Sequence, residues 1–142
     1  LSDGDYIIAG GANASYNGDA QRSKSDAWLI RAESDGTIKW GKNFSFGNLS
    51  YSIVTAVQET ADGGYILSGY SFGSDFQGAW AIKTNQEGDK QWIKTFGRRG
   101  NKELRSIENV GEDKYLLTGS FGTYEANLDV WMIKMRDLGD HE

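Results

Sequence analysis

The chain of 142 residues contains no cysteine, no proline and a single histidine. Without cysteine there is no disulfide, no thiolate metal site and no cysteine nucleophile. This absence is neutral about compartment, because secreted microbial proteins often lack cysteine too. The lone histidine, His141, sits at the extreme C-terminus. That position argues against a Ser-His-Asp arrangement, and one imidazole cannot build a His-based metal site. No apolar run approaches the roughly 18 residues of a membrane-spanning helix, so no membrane insertion is expected. Fifteen Lys and Arg stand against twenty Asp and Glu, for a net charge of −5, and only Arg98-Arg99 forms a basic pair. Nucleic acid would demand a positive face, so it is not an expected partner. With no proline and 19 glycines, the turns must be glycine turns. The opening residues show no leader pattern and begin at Leu1 in mid-pattern, as expected of an excised or processed piece.

What the chain does have is a repeat. Residues 3–11 read DGDYIIAGG, residues 62–70 DGGYILSGY and residues 112–120 EDKYLLTGS. A second block follows each: SDAWLIRAESDGTIKW at 25–40, QGAWAIKTNQEGDKQW at 77–92 and LDVWMIKMRDLGDHE at 128–142. Trp28, Trp80 and Trp131 are 52 and 51 residues apart, and Gly36, Gly88 and Gly139 keep the same spacings. A fixed period near fifty marks a repeat architecture.

The middle unit sets the pattern. Four runs, 52–60, 65–71, 79–84 and 89–97, are rich in Val, Ile, Thr, Trp and Tyr and are bounded by Gly, Asp and Asn. Such runs read as strands, here named A to D, and helical periodicity is absent. Asp35-Gly36 and Asp62-Gly63 are hairpin signals, with Gly88 and Gly139 in the same role, because glycine supplies the positive φ that tight turns need. The first unit supplies B (5–11), C (27–32) and D (37–44). The third supplies A (104–110), B (114–120) and C (129–135).

Ten strands in four-stranded antiparallel units of about fifty residues are the pattern of β-propeller blades. The expected fold is therefore all-β, with about 2.75 blades: a partial blade at 3–47, a complete one at 48–97 and a partial one at 98–142. Trp28 shares a face with Ile30, Trp80 with Ile82 and Trp131 with Ile133, while Leu29, Ala81 and Met132 make the other face apolar too. A strand apolar on both faces belongs between two layers. The five tryptophans read first as core. Each would remove about 150–250 Å² from water, roughly 4–6 kcal/mol gross before the entropy of ordering is subtracted.

The run DGGYILSGYS…AWAIKTNQEGDKQWIKTFG (62–97) resembles a repeat of secreted and surface proteins of bacteria and archaea, of the form DGGYI…AWLIKTDxxGxxxWxKTFG. The resemblance covers nearly the whole chain. It implies a β-propeller located outside the cell or on its surface, in a family whose members mostly lack an assigned activity. The departures are a longer B–C loop and the irregular GKNFSFGNLSYS in the first unit, and EDK in place of DGG at 112–114. A looser similarity runs to quinoprotein-type propeller repeats through Gly36-x-x-x-Trp40 and Gly88-x-x-x-Trp92, with no quinone-binding residue identifiable.

Two and three-quarter units do not close a ring of four to eight blades. The expected partners are therefore copies of the chain itself or the remaining blades of a longer protein, meeting at exposed apolar faces. Alternating strand direction puts the B–C and D–A connections on one side and the near-identical A–B and C–D turns on the other. The variable side is the expected binding side. Its candidate ligand-binding residues are Tyr16, Asp19, Phe72, Asp75, Phe76, Arg98, Arg99, Tyr124 and Glu125, aromatics beside carboxylates and cations that suit a protein or carbohydrate. The plainer reading is that they are ordinary loop residues whose aromatics cover blade edges. No cofactor is expected. The acidic glycine turns offer oxygens suited to Ca²⁺, but none matches the twelve-residue calcium loop. No catalytic residue is assigned. The expected function is a non-enzymatic binding module. The alternatives are a self-assembling structural module and part of a propeller enzyme acting on polysaccharide through a carboxylate pair.

Overall fold

The computed structural model of the chain describes residues 1–13, 25–48, 50–97, 101–111, 113–122 and 129–136. It is all-β: 73% of the described residues are strand, and no helix occurs among them. Ten strands follow in order: β1 (Tyr6–Asn13), β2 (Ser25–Ala32), β3 (Ile38–Phe44), β4 (Ser50–Glu59), β5 (Tyr65–Gly73), β6 (Gly78–Thr84), β7 (Lys90–Phe96), β8 (Asn101–Gly111), β9 (Lys114–Gly122) and β10 (Asp129–Arg136). Each overlaps one of the ten expected runs.

The strands form a seven-stranded and a three-stranded sheet, neither closed. The larger sheet is two antiparallel meanders, β1-β2-β3 and β4-β5-β6-β7, joined by a single parallel bridge between Ser25 and Tyr51. The third meander is β8-β9-β10. The chain is thus three strand groups, one per sequence unit.

The short turns close alike. In each of Leu1–Gly4, Glu33–Gly36, Thr60–Gly63 and Asn85–Gly88 the glycine N–H donates to the carbonyl three residues back, at 2.9–3.1 Å. Those four glycines have φ between 80° and 91°, the left-handed region that a side chain disfavours. The third unit has Asp113 at φ 53° where the second has Gly63.

Two cores lie between the groups. One joins Ala27 and Leu29 of β2 to Tyr65 and Leu67 of β5 and Trp80 and Ile82 of β6, with Trp40, Phe44 and Phe46 at its border. The other joins Ile66 of β5 and Ala79 and Ala81 of β6 to Leu104, Tyr115, Leu117 and Met135, with Trp92, Phe96, Trp131 and Ile133 at its border. Alternate residues of β6 therefore serve opposite cores, and every residue of the strand is buried. Four of the five tryptophans enter these cores. The fifth, Trp28, lies with Ile30 on the far face of the first group, beside the exposed Tyr6, Ile8 and Ile38.

Candidate functional site

Of the residues expected to bind, Tyr16, Asp19, Arg98, Arg99, Tyr124 and Glu125 lie outside the described residues. Phe72, Asp75 and Phe76 are described, all on the β5–β6 connection or its approach.

Phe72 opens onto a cleft of about 270 Å³ between the second and third groups, lined by Tyr70, Ser71, Phe72, Gln77, Gly78, Asn101, Lys102 and Glu103. Phe72 is 45% exposed. Tyr51, its cross-strand partner, stacks behind it with centroids 5.2 Å apart and planes 11° from parallel. The stack fixes the orientation of an apolar ring that water alone would not hold out. Gln77 Nε2–H donates to Asn101 Oδ1 at 3.1 Å, tying the start of β6 to the start of β8 within the cleft lining.

Cations line the third-group wall. Lys102 Nζ lies 5.2 Å from the Phe121 ring centre and 5.8 Å from that of Trp131, a cation–π cage. Gly97, at φ 79°, makes room for it: a Cβ there would stand 2.6 Å from the ammonium. The Arg105 guanidinium sits 5.5 Å from the Tyr70 ring centre and pairs with Glu103. Only Phe72 among these was expected from sequence. The signal for the others was non-repetition. Where the second unit has Tyr70 and Phe72, the first has Gly11 and Asn13 and the third Ser120 and Gly122.

Asp75 and Phe76 part company. Gly73 to Gln77 border a second recess of about 360 Å³, and Asp75 leans from it against Gly47, where a Cβ would come within 2.6 Å of the carboxylate. Phe76 turns inward. It stacks on Phe46 (5.4 Å), which stacks on Trp80 (4.9 Å), and its N–H donates to Ser50 Oγ at 3.0 Å.

On the opposite, short-turn side lies a charge network with no counterpart among the expected residues. Lys83 is fully buried. Its Nζ donates to Asp62 Oδ1 (3.0 Å) and Oδ2 (2.9 Å), to Thr84 O (2.9 Å) and to Gln91 Oε1 (3.1 Å). Gly64 admits the ammonium, since a Cβ there would stand 2.7 Å from it. Burial pushes the Asp62 pKa up, but hydrogen bonds from Thr60, Lys83 and the Gly64 N–H outweigh it and hold the carboxyl below its ordinary range. The first unit repeats the device with Arg31 in place of Lys83. Its guanidinium pairs with Asp3, donates from Nε to Asp5 at 3.0 Å and reaches Tyr65 Oη at 3.3 Å. Lys39 also donates to Asp5 at 2.7 Å, and is the largest reason that carboxyl titrates low. The other acidic turns are occupied too: Asp35 accepts from the Thr37 N–H at 2.8 Å and Asp89 from Lys42 at 2.7 Å. Among the described residues no three acidic or imidazole groups converge as a metal site would require, and no helix is long and apolar enough to cross a membrane.

Against known proteins, no family model and no curated protein matches the chain.

Proposed function

We propose that the three strand groups are blades of a β-propeller, and that the chain is a non-enzymatic binding module, secreted or displayed on the cell surface. Its ligand, a protein or a carbohydrate, docks on the side that carries the B–C and D–A connections. The location rests on the resemblance of residues 62–97 to the surface-protein repeat. The blade reading is supported by meanders of one repeated sequence stacked through two like cores.

One observation carries the binding site. Among the described residues the second unit places aromatic residues at the mouth of a cleft, with Phe72 held flat by Tyr51 beside the Gln77–Asn101 amide pair. A flat apolar ring flanked by amide donors and acceptors suits the apolar face and hydroxyl edges of a sugar, or an extended protein loop. The test is a glycan array and a surface-protein pull-down with wild type and with Phe72→Ala. The reading expects a ligand whose binding falls at least about tenfold in Phe72→Ala, with an unchanged unfolding midpoint. Binding that survives both Phe72→Ala and Gln77→Ala would place the site elsewhere.

A second reading has its own observation. Tyr6, Ile8 and Ile38 at one end and Val130 and Met132 at the other are exposed apolar residues on open faces, as a self-assembling structural module would have. Molar mass rising with concentration, without response to any ligand, is its signature.

A further inference from the structure

We propose that the ligand of the cleft beside Phe72 is a polysaccharide with uronic-acid units, and that Lys102 holds the carboxylate of a sugar ring stacked on Phe72. The inference rests on that cleft being the binding site, and adds the charge of what enters it.

The state of Lys102 carries the argument. Arg31, Lys39, Lys42, Lys83 and Arg105 each meet a carboxylate. Lys102 does not: among the described residues neither a carboxylate nor a hydrogen-bond acceptor meets its ammonium. It is half-buried all the same, held 5.2 Å from the Phe121 ring centre and 5.8 Å from that of Trp131, in space that Gly97 leaves open. Aromatic faces attract a cation but do not replace the oxygen acceptors that an ammonium's three N–H donors take in water. The charge is thus fixed in place with its donors open to an anion.

The rest of the lining does not cancel that charge. Glu103 is the one carboxylate among the lining residues, and it pairs with Arg105. The cleft therefore carries a net positive charge in a chain whose net charge is −5. The sequence entering β8 has the same sign: residues 98–105, RRGNKELR, hold four cations against one carboxylate.

Size and shape favour a sugar over an acidic peptide. At about 270 Å³ the cleft falls just below the range of about 300–1,000 Å³ for sites that enclose a whole small molecule. It suits a short stretch of a longer chain. Phe72 presents a flat apolar ring, backed by Tyr51. A uronic-acid ring offers such a surface its C–H face and carries a carboxylate at its rim, all in one rigid piece, so little freedom is lost when both are engaged. An aspartate or glutamate side chain has its carboxylate on a flexible stem and no flat apolar face, so it meets Lys102 without covering Phe72.

The probes are oligomers of galacturonate, of mannuronate with guluronate, and of glucuronate with N-acetylglucosamine. Each is titrated by calorimetry beside its methyl ester, which keeps the rings and removes the charge. At least one oligomer is expected to bind, with its ester at least about tenfold weaker. Raising NaCl from about 50 to about 500 mM is expected to weaken the acid more than the ester. Lys102→Met keeps a stem to pack on the rings and loses the charge. It is expected to bring the acid down to the affinity of the ester and to leave the ester unchanged, while Lys102→Arg keeps the preference. The proposal is overturned if no oligomer binds, if Lys102→Met leaves the preference intact, or if polyglutamate binds as tightly as the best oligomer. Equal binding of acid and ester that falls in Phe72→Ala overturns this inference alone and leaves the cleft as the binding site. Equal binding that survives both Phe72→Ala and Gln77→Ala overturns the inference and the site together.

Discussion

The first and second strand groups share Tyr, Trp and Ile at three equivalent places and pair Ile8 with Leu67 at a fourth, in opposite surroundings. In the second group Tyr65, Leu67, Trp80 and Ile82 are all 0% exposed, packed on Ala27 and Leu29 of the group before. In the first, Tyr6 is 57% and Ile8 51% exposed, with Trp28 and Ile30 half-buried beside them. The local code is the same and the burial is not. A β-strand's alternation decides which residues share a face, but only the layer laid against that face decides what they contribute.

The sharpest way to break this comparison is to truncate the paired tryptophans. Trp80→Ala removes a fully buried ring, its stack on Phe46 and its bond to Ser71. It is expected to cost about 3–5 kcal/mol in urea unfolding. Trp28→Ala is expected to cost less, roughly 1–2 kcal/mol, because the ring is not fully buried and its indole N–H is unsatisfied. Equal losses would mean that the open face is covered in solution.

The glycines opposite these tryptophans, Gly69 and Gly10, invert the sign. Gly69→Ala drives a methyl into the Ile53 carbonyl, a backbone atom that cannot swing aside, and is expected to cost roughly 1–3 kcal/mol or more. Gly10→Ala meets open space. It restricts the unfolded chain without a clash and is expected to stabilise by about 0.4–1 kcal/mol. A loss at Gly10 would show that this space is filled in solution.

How much of this was legible beforehand follows from where regular rules apply. The ten strands, the faces of the tryptophans and the turn glycines Gly36, Gly63 and Gly88 could be read, because period-two alternation and positive φ act within a few residues, while Gly139 lies outside the described residues. Phe72 and Phe76 sit four residues apart in one connection, and nothing periodic told the outward ring from the inward one. The cleft was hidden because it is assembled from 70–72, 77–78 and 101–103, two units that touch only in the folded chain. Lys83 was hidden for another reason. A lysine in an alternating strand reads as surface, and here it is buried because Asp62, Thr84 and Gln91 surround its ammonium.

That buried cation gives the next prediction. Asp62→Ala leaves the Lys83 ammonium buried without its carboxylate and is expected to cost roughly 1–3 kcal/mol. Lys83→Met leaves a carboxylate that is half exposed and can hydrate, so it is expected to cost less. The order reverses if the lysine stem, not its charge, holds the strand. The pH dependence has one sign. Asp62 and Asp5 titrate lower folded than unfolded, so their stabilisation is complete above the unfolded value of about 3.9 and is lost as pH falls through the folded values. Asp62→Asn should flatten part of that acid limb in unfolding midpoints measured across it.

The smallest expected effect compares the second and third groups at one turn. Gly63 takes φ 81° without strain, while Asp113 holds φ 53° in the place of the same glycine. An aspartate tolerates the left-handed region better than most residues, yet its Cβ still crowds the backbone there. Asp113→Gly relieves that crowding but gives the unfolded chain more freedom, and the two effects nearly offset. The expected net gain is a few tenths of a kcal/mol, up to about 1. A clear loss would mean that the aspartate side chain bonds within its turn, as Asp62 does to the Gly64 N–H at 3.0 Å, and that the third unit closes this hairpin with a side chain where the second uses glycine.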